Sequence, residues 1–578
     1  ITPEIKRLLR QKNKLMHTGK IENANAIAAK ISNLISKRNA NQLSHLNHET
    51  TSHDLWCAVR QCTGRKTQSQ IPEGLTSDIL NDHYASISCD NNYAKPHLLS
   101  VSASDSYTPI SEFKIFTLLD TLKPTATGPD EIPAWFLKLS APFFCKPLTQ
   151  LINLSLSKSF VPIQWKTSSI LPLAKIPKPL VASDFRPISI TPILSRLTER
   201  IVLSTYVYPA ILSNTSNLFF EDQFAFRPTG STTNALISIY HIITSLFEKC
   251  NFVRVITLDF SKAFDTVRHM SMFQKYEDLN LSHYIHNWLV DFYTGRQHCT
   301  KFNDSISSYK SITASVIQGS ALGPSSFSIT ASDLRPVHPH NNLIKFADDT
   351  YLIIPSFNLD STEIELKNIE TWSVRNNLLL NRTKSHEIIF YPPRSKFSPN
   401  LHSPPCIKDI SRVDSLKCLG VTLQANLSFD IHIRETINAC ATNLYAIKIL
   451  RSKGLDDTLI NRIFKATVLS KLLYASQFWW GFASASDREK IEAFLYKSQK
   501  CHFYCNELTF SDLVNEADNR LFSAVISNSQ HTLHSLLPQI KDTKHDLRPR
   551  PHNFCLPRKT SSLFEKNFII RMLYLNSY

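Results

Sequence analysis

Two short apolar, β-prone runs flank adjacent carboxylates in Leu343-Ile-Lys-Phe-Ala-Asp-Asp-Thr-Tyr-Leu-Ile-Ile354. No other stretch constrains the fold as much. It predicts a β-hairpin with Asp348 and Asp349 at the tip. Hairpin tips favour Asn-Gly or Asp-Gly, because those residues tolerate positive φ. Asp-Asp serves a turn less well, so the acids are placed there for their charge. A second β-branched run, Val253-Arg-Val-Ile-Thr-Leu-Asp-Phe260, predicts a strand that ends in Asp259. Three carboxylates at strand ends, brought together, offer the hard oxygen ligands that Mg²⁺ takes. Two such ions about 3.5–4 Å apart can activate an attacking hydroxyl and stabilise a leaving phosphate. The residues therefore point toward nucleotidyl transfer. The plain alternative for any single Asp-Asp pair is a solvated turn, and only the surrounding segments decide between them.

The chain has 578 residues, enough for two to four packed units. Hydrophobic residues make up 42% and charged residues 19%, a globular composition. Lys and Arg number 64 against 48 Asp and Glu, a formal net charge of +16. That excess points to a polyanionic partner, although a basic enzyme without a nucleic acid ligand has the same charge. The 12 cysteines are scattered and are expected as buried small hydrophobes in a reducing compartment. Cys501, His502 and Cys505 lack further correctly spaced ligands and are not read as a zinc site. No apolar run is long enough to span a bilayer. The chain opens on Ile, so its start is expected to be internal to a longer reading frame or to belong to a truncated one. Glycine numbers only 11. Gly128, Gly230, Gly319, Gly323 and Gly420 fall in the segments singled out below, where the backbone is expected to need them.

Residues 1–50 read as basic helices, with Ile5, Leu8, Leu9, Ile27, Ile31 and Leu34 at helical spacing. They form either a solvated helical hairpin or a surface along nucleic acid. A short helix is expected at Asp54–Arg60, another near Thr76–Ile87, and then a Ser-rich linker. Helices fill Ser111–Phe160, broken at Lys123-Pro-Thr-Ala-Thr-Gly-Pro-Asp130. Strands are expected at Ser169–Leu173, Val253–Phe260, Ser311–Ile317, Leu343–Pro355 and Leu416–Leu423. Helices are expected at Ile190–Leu212, Thr232–Lys249, before Gly295, and at Glu363–Asn376. Tyr391–Pro405 is Pro-rich loop. Beyond Asn426 the pattern is mostly helical, with an aromatic cluster at Trp479–Trp480 read as core.

The segment Leu258-Asp-Phe-Ser-Lys-Ala-Phe-Asp-Thr-Val267, followed far downstream by Phe346-Ala-Asp-Asp349, resembles the reverse transcriptase of LINE-type (non-LTR) retrotransposons. The resemblance extends to Ala126-Thr-Gly-Pro-Asp-Glu-Ile-Pro133, Trp165–Lys175 and Asp184-Phe-Arg-Pro-Ile-Ser189. It continues through Asp222-Gln-Phe-Ala-Phe-Arg-Pro228, Gln318-Gly-Ser-Ala-Leu-Gly-Pro324, Asn381-Arg-Thr-Lys384 and Cys418-Leu-Gly-Val421. Each motif alone is modest, but the ordered set is specific. It covers residues 111–425 clearly and extends more loosely to Tyr578.

The resemblance implies an α+β right-hand polymerase with fingers, palm and thumb. The expected division is a basic helical extension and linker at 1–110, fingers and palm at 111–425, and a helical thumb and C-terminal region at 426–578. Asp259, Asp348 and Asp349, with the Phe260 carbonyl, would hold two Mg²⁺ ions, a role Mn²⁺ can also fill. Lys175 and Arg186 would grip the triphosphate. Phe264 would exclude a 2′-hydroxyl, and Gln318 with Gly319 would touch the nucleotide and templating pair. Lys384 would protonate the departing pyrophosphate, and Leu419-Gly420 would form the primer grip. The implied partners are element RNA as template, a DNA primer or nicked target DNA, and dNTPs, in an intracellular ribonucleoprotein of nucleus and cytoplasm with no membrane. Family proteins usually carry an endonuclease ahead of the polymerase, and none is expected within this chain. The alternatives are a catalytically silent RNA-binding remnant and an intron maturase-like enzyme. The three acids favour chemistry, and Phe264 with the Phe-Ala-Asp-Asp tip favours DNA synthesis.

Overall fold

Val253–Leu258 is apolar on both sides, with Val253, Val255, Ile256 and Leu258 all buried. A strand of that kind belongs in the middle of a sheet, and that is where it lies. The structure, a computed structural model, describes residues 2–43, 46, 50, 54, 57, 74–102, 105–213, 218–392, 403–541 and 552–575. Its principal strands are, in chain order, β1 (Thr167–Ala174), β2 (Phe185–Ile190), β3 (Val253–Leu258), β4 (Gln297–Phe302), β5 (Asn342–Phe346), β6 (Asp349–Pro355), β7 (His386–Phe390) and β8 (Ser411–Arg412).

One sheet runs β8-β7-β3-β6-β5. The β3 strand is antiparallel to both β7 and β6. Buried Arg254 on β3 is ion-paired with buried Glu387 on β7 at 2.7 Å, and Arg412 on β8 reaches the same carboxylate at 3.0 Å. A buried charge needs such partners. The expected hairpin forms from β5 and β6, but its tip is tighter than the sequence suggested. Phe346 pairs with Asp349, so Ala347 and Asp348 alone make the turn. Ala347 takes the positive φ, at 58°. Asp349 is therefore the first strand residue rather than a tip residue.

A second sheet carries β2-β1-β4, with β1 antiparallel to β2 and parallel to β4. The β2 strand was not anticipated. It displaces the start of the helix expected at Ile190, which begins at Ile193 instead. Thr191 precedes Pro192, and a residue before proline avoids the helical region. The strand expected over Ser311–Ile317 is largely absent. Only Lys310–Ser311 pairs, and positive φ at Ser315 and Ile317 ends the extended run. The strand expected over Leu416–Leu423 is two strands, Ser415–Cys418 and Val421–Gln424, flanking a Leu419-Gly420 turn. Both turn residues have positive φ, 45° and 87°.

Most expected helices are present, including Ser77–Ile87, Glu112–Asp120, Ala141–Ser157, Thr232–Leu246, His283–Tyr293 and Thr362–Arg375. The helix expected at Asp54–Arg60 and most of the Tyr391–Pro405 loop lie outside the described residues. Among the described residues no helix is long and apolar enough to cross a membrane.

The chain divides into two compact units that differ from the expected segments. One holds residues 69–420, 424–427 and 522–578, including both sheets. Its C-terminal part packs back onto the helix at Thr232–Leu246 and the residues just before it. Thr532 accepts from Asn234 Nδ2 at 2.9 Å, and Asn567 Nδ2 donates to Thr244 at 2.6 Å. The other unit holds residues 1–68, 421–423 and 428–521. In it Pro3–His17 and Ile21–Leu43 pack as a helical hairpin through Ile5, Leu8 and Ile31, with Leu9, Ile27 and Leu34 against them. Trp479 and Trp480 are buried beside Phe510, as expected of core.

Candidate active site

The sheet register brings the acids together. Leu258 faces Thr350 across β3 and β6. Continuing by one residue sets Asp259 opposite Asp349, with Asp348 in the adjoining turn. The Asp259 backbone is held on both sides: its N–H donates to Ser385 Oγ at 3.2 Å, and its carbonyl accepts from Asn381 N–H at 2.8 Å. Asn381 also caps the short helical turn that carries Lys384. One local structure thus anchors Asp259 and places Lys384 near it.

The tip is anchored from elsewhere. Gln223 Oε1 accepts from the Ala347 N–H at 3.1 Å and from the Ala225 N–H at 3.0 Å. The backbone of residues 222–224 joins β5 at Lys345, whose buried ammonium meets Asp222 at 2.9 Å.

Burial, with the charges of Asp348 and Asp259 adding to it, raises the carboxyl pKa of Asp349 to about 6. Burial also raises Asp348; Asp259 adds to this and Arg186 opposes it. The three acids therefore feel one another across the strand ends, and like charges so placed resist joint ionisation. Among the described residues no three His, Cys, Asp or Glu side chains stand in ready metal-ligand geometry. As a donor set the three are hard, anionic oxygens in mutual repulsion, which suits a divalent cation.

Opposite lies a basic group. Lys175 follows the end of β1, and its Nζ donates to Ser183 O at 2.7 Å. Burial lowers its pKa, as do Arg186, Lys262 and Lys384, while Asp265 opposes them. Asp184 is not the partner of Arg186. Its carboxylate accepts from the Leu180 and Val181 N–H groups at 2.8 and 3.1 Å. Among the described residues Arg186 has no ion-pair partner.

Gln318 and Gly319 meet β2 directly. Ser189 N–H donates to Gln318 O at 2.8 Å. Gly319 has φ +109°, and a Cβ there would lie 2.2 Å from Ser189 O. The glycine is thus required by a backbone approach. Phe264 is half-buried, stacked on Phe327 at 4.8 Å and edge-on to Phe226 at 6.0 Å. Phe260 buries its ring against Trp372 and pairs with Leu380. Next to the Leu419-Gly420 turn, Cys418 bonds Tyr351 side chain to side chain and feels the charge of Asp349.

Sequence reasoning did not single out several supports. Gln223, Asn381 and Ser385 fix the acids' backbone. Buried Glu199 accepts from Ala321 N–H at 2.6 Å and Leu322 N–H at 3.2 Å, pinning the loop after Gln318. Lys262 and Asp265 stood inside the quoted Leu258–Val267 segment, which was the available signal.

Residues 176–423 match the family described as reverse transcriptase (RNA-dependent DNA polymerase). The matched stretch runs from just after β1 to just past the Leu419-Gly420 turn and contains Asp259, Asp348 and Asp349. The resemblance to LINE-type enzymes holds at the level of individual relatives. The chain is 26% identical over 363 residues to a probable RNA-directed DNA polymerase from transposon X-element of Drosophila melanogaster, covering 60% of this chain and 38% of the relative. It is 26% identical over 403 residues to the RNA-directed DNA polymerase from mobile element jockey of Drosophila funebris, covering 66% and 43%. Among solved structures, telomerase from Candida tropicalis in complex with a fragment of telomeric RNA aligns with a TM-score of 0.36 at 12% identity, covering 62% of this chain and 59% of that one. The chain spans about two fifths of the length of the curated relatives it matches.

Proposed function

We propose that this chain is the polymerase part of a non-LTR retroelement protein, an RNA-directed DNA polymerase that extends a 3′-hydroxyl primer on an RNA template. One observation carries this reading: acids Asp259, Asp348 and Asp349 converge at adjacent strand ends, within reach of the field of Arg186 in the basic group with Lys175, Lys262 and Lys384. That separation of sign suits a nucleoside triphosphate with its metal.

Asp259, Asp348 and Asp349, with the Phe260 carbonyl, would hold two Mg²⁺ ions. When bound, these supply the charge that activates the primer hydroxyl and stabilises the leaving pyrophosphate. Arg186 and Lys175 hold the triphosphate oxygens through charge-assisted hydrogen bonds. Lys384, set beside Asp259 by the Asn381 cap, gives a proton to the departing pyrophosphate. Phe264 closes the space beside the sugar, so dNTPs are the substrates. Element RNA serves as template, and nicked DNA supplies the primer within a ribonucleoprotein of nucleus and cytoplasm.

Primer extension on an RNA template with dNTPs and Mg²⁺ tests the reading. Asp259→Asn and Asp348→Asn are expected to lower extension on the order of 10⁴-fold or more, as for parts acting as one unit. Binding of template–primer should persist. Near-normal extension by either folded variant would remove the metal-site assignment.

A further inference from the structure

Asp265 is the least explained acid near the site. It is buried, lies six residues past Asp259, and belongs neither to the strand ends nor, among the described residues, to a salt bridge. Among the described residues its side-chain hydrogen-bond partner is Gln318, whose Nε2 donates to Asp265 Oδ1 at 2.9 Å. An ionised carboxylate only accepts hydrogen bonds. It therefore takes the NH₂ end of the amide and leaves the Gln318 carbonyl oxygen pointing elsewhere. The backbone of Gln318 is fixed independently, by Ser189 on one side and by the Glu199-pinned loop on the other. With the main chain held, the remaining freedom is in the side-chain torsions, and the bond to Asp265 fixes where the amide NH₂ lies.

The surroundings of Asp265 are built for a polar group. A cavity of about 30 Å³ beside it is lined by Tyr84, Ser168, Ser189, His298, Ser315 and Gln318. Among the described residues, Tyr84 Oη and His298 Nε2 are buried there without a hydrogen-bond partner. A polar space of this size accepts a water, which gives those groups a way to satisfy the rear of the pair.

We propose that Asp265 is a positioning residue that locks the Gln318 amide so that its carbonyl oxygen, an acceptor, faces the incoming nucleotide. This rests on the polymerase reading above. Asp265 touches no reacting atom; it acts through Gln318.

The test is single-nucleotide extension by the full chain on an RNA template–primer with Mg²⁺, read as KM for dNTP and kcat separately. Asp265→Leu removes the acceptor at similar size and frees the amide to flip. It should raise the dNTP KM about tenfold, the order of one hydrogen bond to a charged group, with kcat changed less and template–primer binding unchanged. Asp265→Asn can still accept from Gln318 Nε2 but can also donate to its carbonyl oxygen, so it locks the amide only in part and its KM should fall between those of the parent and Asp265→Leu. A folded Asp265→Leu with unchanged KM overturns the proposal. So does Asp265→Asn with a KM above that of Asp265→Leu, because partial retention of the acceptor should then have helped. Asp265→Ala is read in the same way where Asp265→Leu does not fold. Failure of both to fold assigns Asp265 to stability and also overturns the proposal. Failure of the unsubstituted chain to extend any primer on RNA is a different result, and it counts against the polymerase reading.

Discussion

At Phe264 the ring is held by two others, Phe327 beneath and Phe226 at its edge, yet it remains half-exposed. Those two contacts restrain the ring, and the proposed exclusion of a 2′-hydroxyl depends on that restraint. Phe264→Val is expected to raise rNTP incorporation markedly while dNTP incorporation falls modestly. The cavity left behind costs about 3 kcal/mol, so rates are compared per folded molecule. Unchanged discrimination in the folded variant would reduce Phe264 to core packing. Asp265 makes a second prediction at this scale. Burial, its largest cause, raises its carboxyl pKa to about 6, and Asp348 adds to this against the Gln318 bond and the charges of Lys175 and Lys262. The fold therefore prefers the protonated acid. This contribution is complete below the unfolded value near 3.8 and is lost as pH rises through about 6. At 1.36 kcal/mol per pKa unit it amounts to roughly 3 kcal/mol. Asp265→Asn lacks this titration, so it should be more stable than the parent at pH 8 and lose that advantage toward pH 4. Denaturant unfolding at both pH values checks the sign, and a gap that widens on acidification would contradict it.

Elements with strong local patterns were legible: the β3 run, the β5–β6 hairpin and helices with spaced apolar faces. What set their details was distant. The turn at Ala347 is tight because Gln223, 124 residues away, takes its N–H. The loop after Gln318 is pinned by Glu199, 122 residues from Ala321. Gln223 stood in the quoted Asp222–Pro228 segment, but nothing local tells which distant turn it holds, and Glu199 is an ordinary polar residue with no motif to mark it. The β2 strand was missed for a related reason, since Phe185-Arg-Pro-Ile-Ser-Ile190 becomes a strand through pairing with β1. That strand explains why Gly319 matters. A methyl group there would lie 2.2 Å from Ser189 O, on a backbone at φ +109°. Gly319→Ala must push β2 away from the Gln318 loop or change the turn. Backbone strain of this kind costs about 1–3 kcal/mol. A matching loss in unfolding free energy and a raised dNTP KM are expected; a variant equal to the parent in both would mean the approach is not tight in solution.

For the whole molecule, charge was legible and grouping was not. Residues 522–578 join the unit with the sheets through Asn567, Thr532 and their distant partners, contacts no local pattern announces. The N-terminal hairpin was readable down to its contact residues, but packing alone leaves its outer face unexplained. Residues 1–43 carry nine of the 64 cations and two of the 48 acids. Ile5 and Leu8 turn inward to Ile31, while Lys6, Arg7, Arg10 and Lys14 are exposed. Self-packing and a nucleic acid contact are thus compatible, because they use opposite faces of one helix. Cations that meet backbone phosphates release counterions, and affinity then falls with salt by a slope of about 0.7–0.9 per phosphate. Replacing Lys6, Arg7, Arg10 and Lys14 by Gln removes the charge and leaves the apolar contact intact. Template–primer binding should weaken at low salt, and the slope of log affinity against log salt should fall by up to about 3. Extension at saturating template–primer should change little, since the candidate site's own residues are unaltered. An unaltered slope would return this face to the solvent and leave the basic group around Lys175 and Arg186, with the remaining surface cations, to account for the salt dependence.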